Sequence, residues 1–474
     1  MSEIEFSRLI LKNFPYKPTN NQERLINKLS EFLFIKKDKA IFVLKGYAGT
    51  GKTTVVSSIV KNLNYTGKKS VLLAPTGRAA KVLSTYSGKK AFTIHKKIYL
   101  LATKNDGSVR LTLARNIHKN TIFLVDEASM IPDNSVSPDM SLFSRRNLLE
   151  DLINYVYEGE NCKLILIGDT AQLPPVGLEV SPALNMEYLK RFFDLSINTY
   201  ELKEVVRQAL ESGILANATN IRNRIVRMNR GYIINLENFT DIKRITGEEL
   251  EDALNEAYSE TMHEETVVIT RSNKRANIFN QEIRKRILFL ENEITAGDYL
   301  MVVKNNYFWL DKDSKAGFIA NGDIIEILRI GKFYDLYGFR FADVTIRMTD
   351  YPDEKDLNVK ILLDTLMIEG PSLTSKENQR LFDEVKKDYE DIPSRRKRIE
   401  EVKNNPFFNA LQVKFAYALT CHKTQGGQWK NVFIDQGYLT EERINREYFR
   451  WLYTAFTRAT DKLYLVNFHD RFFK

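Results

Sequence analysis

Residues Gly46-Tyr47-Ala48-Gly49-Thr50-Gly51-Lys52-Thr53 match the pattern G-x-x-x-x-G-K-[ST] at every fixed position. A glycine-rich turn of this kind lets consecutive backbone N–H groups face a phosphate. The lysine that closes it reaches the β- and γ-phosphates, and the hydroxyl beside it can hold Mg²⁺. Gly46, Gly49, Thr50, Gly51, Lys52, Thr53 and Thr54 are therefore the expected contacts to ATP, with Thr53 also expected on Mg²⁺. Further along, Ile122-Phe123-Leu124-Val125 delivers two adjacent carboxylates, Asp126 and Glu127. Asp126 is expected on Mg²⁺ and Glu127 as the general base that polarises the attacking water. The run Leu164–Gly177 ends a third apolar segment with Gly168-Asp169 and carries Gln172, whose amide can sense a γ-phosphate without adding charge. Arg207 and Arg458 are candidates for stabilising charge on a transferring phosphoryl group. On their residues alone, each reads first as an ordinary surface arginine.

These groups need elements to hold them. Ala40–Leu44 reads as a buried strand feeding the loop, and Thr54–Val60 as the apolar side of the helix that follows. The β-rich runs 41–44, 70–74, 121–125 and 163–167 alternate with helical patterns, and each ends in polar or glycine-containing chemistry. A parallel sheet binds ligands at the carboxyl ends of its strands, so these four ends should converge on one site. Asp106-Gly107, between two partly alternating segments, signals a hairpin leaving this unit at about 96–118. A second α/β unit is expected over 201–297 and 406–474, with Thr266–Thr270, Val413–Thr420, Val432–Ile434 and Lys462–Val466 as strands. The strand-rich stretch after 298 and the charged helical stretch 374–404 read as an insertion, 298–405, in that second unit. Residues 1–200 form the first unit.

The chain has 474 residues, 43% of them hydrophobic, and a formal net charge of +9. That length suits several domains, and the charge makes a polyanionic partner plausible. Cys162 and Cys421 lack metal-ligand spacing and read as reduced thiols in a cytoplasmic protein. The N-terminal residues lack the regions of a signal peptide, and no run is long and apolar enough to span a membrane.

Taken in order, these blocks resemble the superfamily 1 helicases, in particular the RecD/Dda/Pif group termed superfamily 1B. Thr19-Asn20-Asn21-Gln22 resembles the adenine-reading Q motif, Ala74–Ala80 motif Ia, and Thr93-Ile94-His95 motif Ib. Asp126–Met130 resembles motif II, Gly168–Gly177 motif III, and Val205–Gln208 motif IV. Ala418–Gly426 resembles motif V and Tyr453–Arg458 motif VI.

The resemblance implies two RecA-like lobes with ATP between them, and single-stranded DNA crossing both with 5′→3′ movement. It makes Gln22 a nucleotide contact, Arg207 and Arg458 the γ-phosphate arginines, and Thr76, His95 and His422 strand contacts. It also implies a strand-separating pin at the hairpin and a β-barrel of the Src-homology-3 type within 298–405, with single-strand/duplex junctions as partners; with no nuclease-like cluster of acids and few residues before the first motif, a free-standing monomeric motor is expected. The expected pin tip, Lys104–Ser108, has no aromatic, and Gln428-Trp429 stands where many relatives carry an acidic residue before the aromatic. Asn305–Trp309 could be a base-stacking platform or part of a barrel core. An RNA or ribonucleoprotein remodeller, and an ATPase switch that does not unwind, are the alternative readings.

Overall fold

A computed structural model describes residues 1–103, 109–132, 147–206, 211–227, 234–310, 314 and 317–473. The first 202 residues carry β1 (Ala40–Gly46), β2 (Lys69–Ala74), β3 (Ala91–Thr93), β4 (Tyr99–Thr103), β5 (Val109–Leu113), β6 (Thr121–Val125), β7 (Lys163–Gly168) and β8 (Ser196–Leu202). Six of them pair as one sheet in the order β3-β2-β6-β7-β1-β8, every pairing parallel. β1 is buried on both faces. Ala40, Phe42 and Leu44 pack into one apolar layer with the helices Asn20–Phe34 and Lys52–Asn62, while Ile41 and Val43 pack into another with the helix Leu148–Glu158. This explains why β1 reads as a continuous apolar run rather than an alternating one.

Lys163 opens β7 in the interior. Its ammonium donates to the carbonyls of Phe32, Leu33 and Ile35 at 2.8, 2.9 and 2.6 Å, satisfying the last carbonyls of the helix 20–34. Burial pulls its amine down to about 8.

The remaining strands are β9 (Ile242–Ile245), β10 (Thr266–Thr270), β11 (Tyr299–Val302), β12 (Ile324–Leu336), β13 (Phe339–Met348), β14 (Leu357–Leu362), β15 (Leu411–Phe415), β16 (Ala418–Thr420), β17 (Trp429–Asp435) and β18 (Ala459–Val466). A second parallel sheet runs β16-β10-β17-β18-β9, and β11 to β15 close into a barrel. The molecule is thus a mixed α/β protein of two parallel-sheet, RecA-like lobes with a five-stranded barrel inserted in the second.

By its β-rich composition Val413–Thr420 reads as one strand of the second lobe. The chain instead changes sheets there: Leu411–Phe415 pairs with barrel strands β11 and β14, and Ala418–Thr420 with β10. After β10 the α-helix Asn273–Glu282 widens into a π-turn over Ile283–Ile287. The charged stretch after 374 forms helices Ser375–Lys387 and Arg395–Asn404, seated on Phe339, Phe341, Leu381, Val385 and Val402.

β4 and β5 form the expected two-stranded antiparallel hairpin. Its tip, 104–108, lies outside the described residues. Trp309 and Tyr307 are half-buried and packed: the Trp309 indole donates to the Asn409 carbonyl at 2.8 Å beside the barrel core, and Tyr307 packs against an apolar cluster of the first lobe. Cys162 and Cys421 are both buried free thiols. No helix among the described residues is long and apolar enough to cross a membrane.

Candidate nucleotide site and strand interface

The loop after β1 is shaped by two left-handed glycines, Gly49 at φ 72° and Gly51 at φ 79°. A Cβ at Gly51 would lie 2.2 Å from the Gln22 amide nitrogen, so the loop and Gln22 fit only because that Cβ is missing. Gln22 accepts from the Thr19 N–H at 3.0 Å as part of a capping box and donates to the Thr50 carbonyl at 3.2 Å. Its carboxamide therefore braces the loop from the start of the helix 20–34. At Gly46 a Cβ would meet the Lys52 side chain at 2.8 Å. The Lys52 ammonium lies over the loop, donating to the carbonyls of Gly46 at 2.6 Å and Tyr47 at 2.9 Å. Thr50 is buried and donates to the Tyr47 carbonyl at 2.7 Å; Thr53, in the first turn of the helix 52–62, is exposed, and Thr54 beside it is half-buried. An exposed hydroxyl at a helix N-terminus beside a lysine suits a metal-bound phosphate.

Asp126 and Glu127 follow β6 at the same end of the sheet. Asp126 accepts from the Glu127 N–H at 2.9 Å and from the Tyr86 hydroxyl. Glu127 sits in the left-handed region at φ 50°, a strained conformation for a residue with a side chain. Burial pushes its carboxyl up, Asp126 and Asp169 push the same way, and Arg458 and Lys52 oppose. A carboxylate tuned upward beside two cations is suited to accepting a proton.

The next strand end carries Asp169, which is buried and likewise raised by desolvation. It accepts from the Ala171 N–H at 2.9 Å and from the Tyr453 hydroxyl at 2.6 Å. Tyr453 belongs to the helix Arg446–Phe456 of the second lobe, and its oxygen also accepts the Ala48 N–H of the phosphate loop at 2.8 Å. Two more bonds cross at this seam. The Leu173 N–H donates to Thr454 at 2.9 Å, and Gln425 donates to the Leu173 carbonyl at 2.7 Å. Between these anchors lies Gln172, 7% exposed, whose Oε1 has no hydrogen-bond partner among the described residues. Such an orphaned acceptor is the kind of group a ligand or water satisfies.

Arg458 is buried, 3% exposed, and donates to the carbonyls of Thr454 at 3.0 Å and Gly427 at 3.1 Å and to the Thr457 hydroxyl at 3.1 Å. It acts on Glu127 and Asp169 through its field. Arg207 lies outside the described residues. The residue before it, Val206, donates to the Gly49 carbonyl at 2.9 Å.

Thr76 caps the helix Gly77–Ser87 after β2, accepting from the Ala79 N–H at 3.2 Å. His95 follows the neighbouring strand β3, and burial lowers its imidazole to about 4, so it is neutral near pH 7. His422 follows β16 in the second lobe and is also lowered by burial. The lobes meet beside these residues. A Cβ at Gly426 would lie 2.8 Å from the Ala79 Cβ and 3.2 Å from the Thr76 hydroxyl. The Arg78 guanidinium stacks 3.9 Å over Trp429 and donates to the Gln428 carbonyl at 3.2 Å. Trp429 therefore serves a contact between lobes.

Asp169 is expected at a strand end of the site; Tyr453, Thr454, Gln425 and Tyr86 join it without a signal in their own stretches of sequence. Tyr453, Thr454 and Gln425 lie inside quoted motifs, but their partners are hundreds of positions away.

Residues 20–246 match a family described as AAA domain, and residues 415–466 match the UvrD-like helicase C-terminal domain. The chain is 28% identical over 306 residues to the ATP-dependent DNA helicase dda of Enterobacteria phage T4, covering 62% of this chain and 64% of that protein. It is 30% identical over 178 residues to the ATP-dependent RecD2 DNA helicase of Deinococcus radiodurans, covering 38% of this chain and 21% of that one. An uncharacterized Acanthamoeba polyphaga mimivirus protein, R530, is 24% identical over 93% of this chain and 98% of its own length. Among solved structures, Pif1 helicase from Bacteroides in complex with ADP-AlF3 and ssDNA aligns at TM-score 0.47 and 15% identity, over 96% of this chain and 94% of that one.

Proposed function

We propose that the chain is a superfamily 1B helicase of the RecD/Dda/Pif-like group, an ATP-dependent DNA helicase that moves 5′→3′ along single-stranded DNA and separates the duplex ahead. The observation that carries this reading is the double attachment of the second lobe to the nucleotide cradle. Tyr453 takes the Ala48 N–H, while Thr454 and Gln425 hold the Leu173 backbone. A change at the phosphate loop must then be felt by the helix 446–456 and by Gly426, which touches Thr76 in the strand interface.

In this reading Lys52 and the loop N–H groups hold the phosphates of ATP. Gln22 keeps the loop in register, and Glu127 accepts the proton of the attacking water. Gln172 turns its unsatisfied oxygen toward that water. Arg458, with Arg207 as its proposed partner, carries the charge of the second lobe toward the γ-phosphate. Mg²⁺ held by Thr53 and Asp126 would neutralise phosphate charge. Thr76, His95 and His422 contact the strand, His95 as a neutral hydrogen-bonding ring. The hairpin of β4 and β5 serves in this reading as the pin that parts the duplex. Strand binding favoured by the net charge of +9 is expected to weaken with salt and to tolerate sequence.

ATP hydrolysis measured with single-stranded DNA, single-stranded RNA or neither tests the reading. Strong stimulation by DNA supports it, stimulation by RNA alone favours an RNA remodeller, and an unstimulated rate contradicts it.

A further inference from the structure

The barrel is joined to the two lobes by two buried ion pairs of opposite quality. Toward the second lobe, Arg284 grips Asp298 with two bonds of 2.8 Å each. The same carboxylate accepts from the Tyr417 hydroxyl at 2.9 Å and the Thr295 N–H at 2.7 Å, and Arg284 also reaches the Asn292 carbonyl at 2.9 Å. Every part of that joint is satisfied, as a permanent buried pair requires.

Toward the first lobe the partners are Lys96, one residue past His95, and Asp323, at the start of β12. Their side chains are 4% and 0% exposed, yet Nζ and Oδ2 are 3.6 Å apart, beyond hydrogen-bond length. Around them the Lys96 ammonium, Asp323 Oδ1, Asp350 Oδ2 and the Tyr351 hydroxyl are all buried with no hydrogen-bond partner among the described residues. They are neighbours. Lys96 Nζ lies 3.9 Å from the centre of the Tyr351 ring, and a Cβ on Gly77 would sit 2.4 Å from Asp323 Oδ1 and 3.0 Å from the Tyr351 oxygen. Lys81, on the helix that Thr76 caps, lies 3.7 Å from Asp350 and donates to the Thr349 carbonyl at 3.0 Å.

Lys96 keeps cation–π contacts to the rings of Tyr351 at 3.9 Å and Phe318 at 5.4 Å, and Asp323 accepts the Ala320 N–H at 2.8 Å, but a buried pair that leaves other polar atoms without hydrogen bonds adds little net to holding two surfaces together, because opening returns those atoms to water. The joint therefore closes the barrel onto the first lobe at low cost in either direction. Its position gives that property a use. The first lobe touches the second at Thr76 and Gly426, the second lobe runs covalently into the barrel, and the barrel returns to the first lobe beside Gly77. The three contacts make a ring next to the proposed strand contacts.

We propose that Lys96, Asp323, Asp350 and Tyr351 form an ionic latch that shuts this ring over the strand and opens to admit a strand that has no free end; this rests on the helicase reading above. The satisfied Arg284–Asp298 joint is the hinge-side anchor, and the unsatisfied Lys96–Asp323 joint is the side that parts.

The test compares capture of a covalently closed circular single strand, which requires the ring to open, with capture of a linear strand of the same composition, which can thread by an end. In the double variant Lys96→Met with Asp323→Leu, apolar packing replaces the pair and strengthens the closed form. Capture of the circle should slow roughly tenfold or more relative to the linear strand, with the strand-stimulated ATPase at saturation unchanged. Asp323→Ala strands the Lys96 ammonium and should instead speed capture of the circle. Tyr351→Phe, a milder change that keeps the fold, removes one orphaned hydroxyl and should slow it. If circle and linear strand are captured in the parental ratio by the folded double variant and by Tyr351→Phe, the latch is wrong. If the parent protein shows no strand-stimulated ATPase, the helicase reading itself has failed.

Discussion

The Tyr453 hydroxyl of the second lobe accepts the Ala48 N–H of the phosphate loop at 2.8 Å and donates to Asp169 at 2.6 Å. One oxygen thus joins the nucleotide cradle, the buried acid that opens the Gln172 loop, and the helix 446–456, two residues before Arg458. Tyr453→Phe removes both bonds and leaves Asp169 with a single donor. A hydrogen bond to a buried charged group contributes about 1.5–3 kcal/mol. Steady-state ATPase should fall roughly ten- to hundredfold, while affinity for single-stranded DNA changes little. A variant with parental turnover would remove Tyr453 from the coupling path.

Lys52→Ala and Glu127→Gln should each abolish measurable ATP turnover, a loss of roughly two decades or more for a proton-transfer or charge-stabilising group. Both side chains are half-buried and neither belongs to an apolar core, so thermal unfolding should stay near the parental midpoint. Parental ATPase in either purified variant would overturn the site.

Gly51→Ala tests the bracing of the loop. The left-handed backbone costs an L-residue roughly 1–2 kcal/mol, and the new methyl would stand 2.2 Å from Gln22. Nucleotide binding should be lost. Adding Gln22→Ala should recover part of it by removing the steric share and none of the backbone share. Full recovery, or none, would contradict this division.

The latch has a pH signature. Burial raises the Asp323 carboxyl to about 6, against the pull of Lys96 and with a push from Asp350. Lys96 and Lys81 from the first lobe, and Asp350, Tyr351 and Glu354 from the barrel, are the charged or titratable groups around it. Opened to water, the carboxyl returns to about 3.9, so closing takes up a proton as pH falls through 6. The closed form gains at low pH. Capture of circular single strands should slow about fourfold between pH 7.5 and 5.5, and Asp323→Asn should flatten the profile. Faster capture at pH 5.5 would contradict the assignment.

The cradle was legible because it is local. A strand, a glycine turn and a helix within Ala40–Asn62 carry their own signals, as does the carboxylate pair ending β6. What joins the lobes was not legible. Ala48 and Tyr453, or Leu173 and Gln425, meet only after both sheets have formed, and nothing in a tyrosine's neighbours announces a partner in another lobe. The barrel's end was misjudged for a related reason. Leu411–Thr420 is uniformly β-rich, and alternation does not tell which sheet a strand joins, so the break at Ala416-Tyr417 passed unseen. Arg458 was found by its motif, but its three bonds within its own lobe could not be read from it.

The central claim is a 5′→3′ motor driven by the site between the lobes. ATP-dependent unwinding of one duplex carrying either a 5′ or a 3′ single-stranded tail, with Lys52→Ala as control, tests it most directly. The account predicts strand separation from the 5′ tail alone and none with Lys52→Ala. Separation from the 3′ tail alone, or separation by the Lys52→Ala protein, would contradict it.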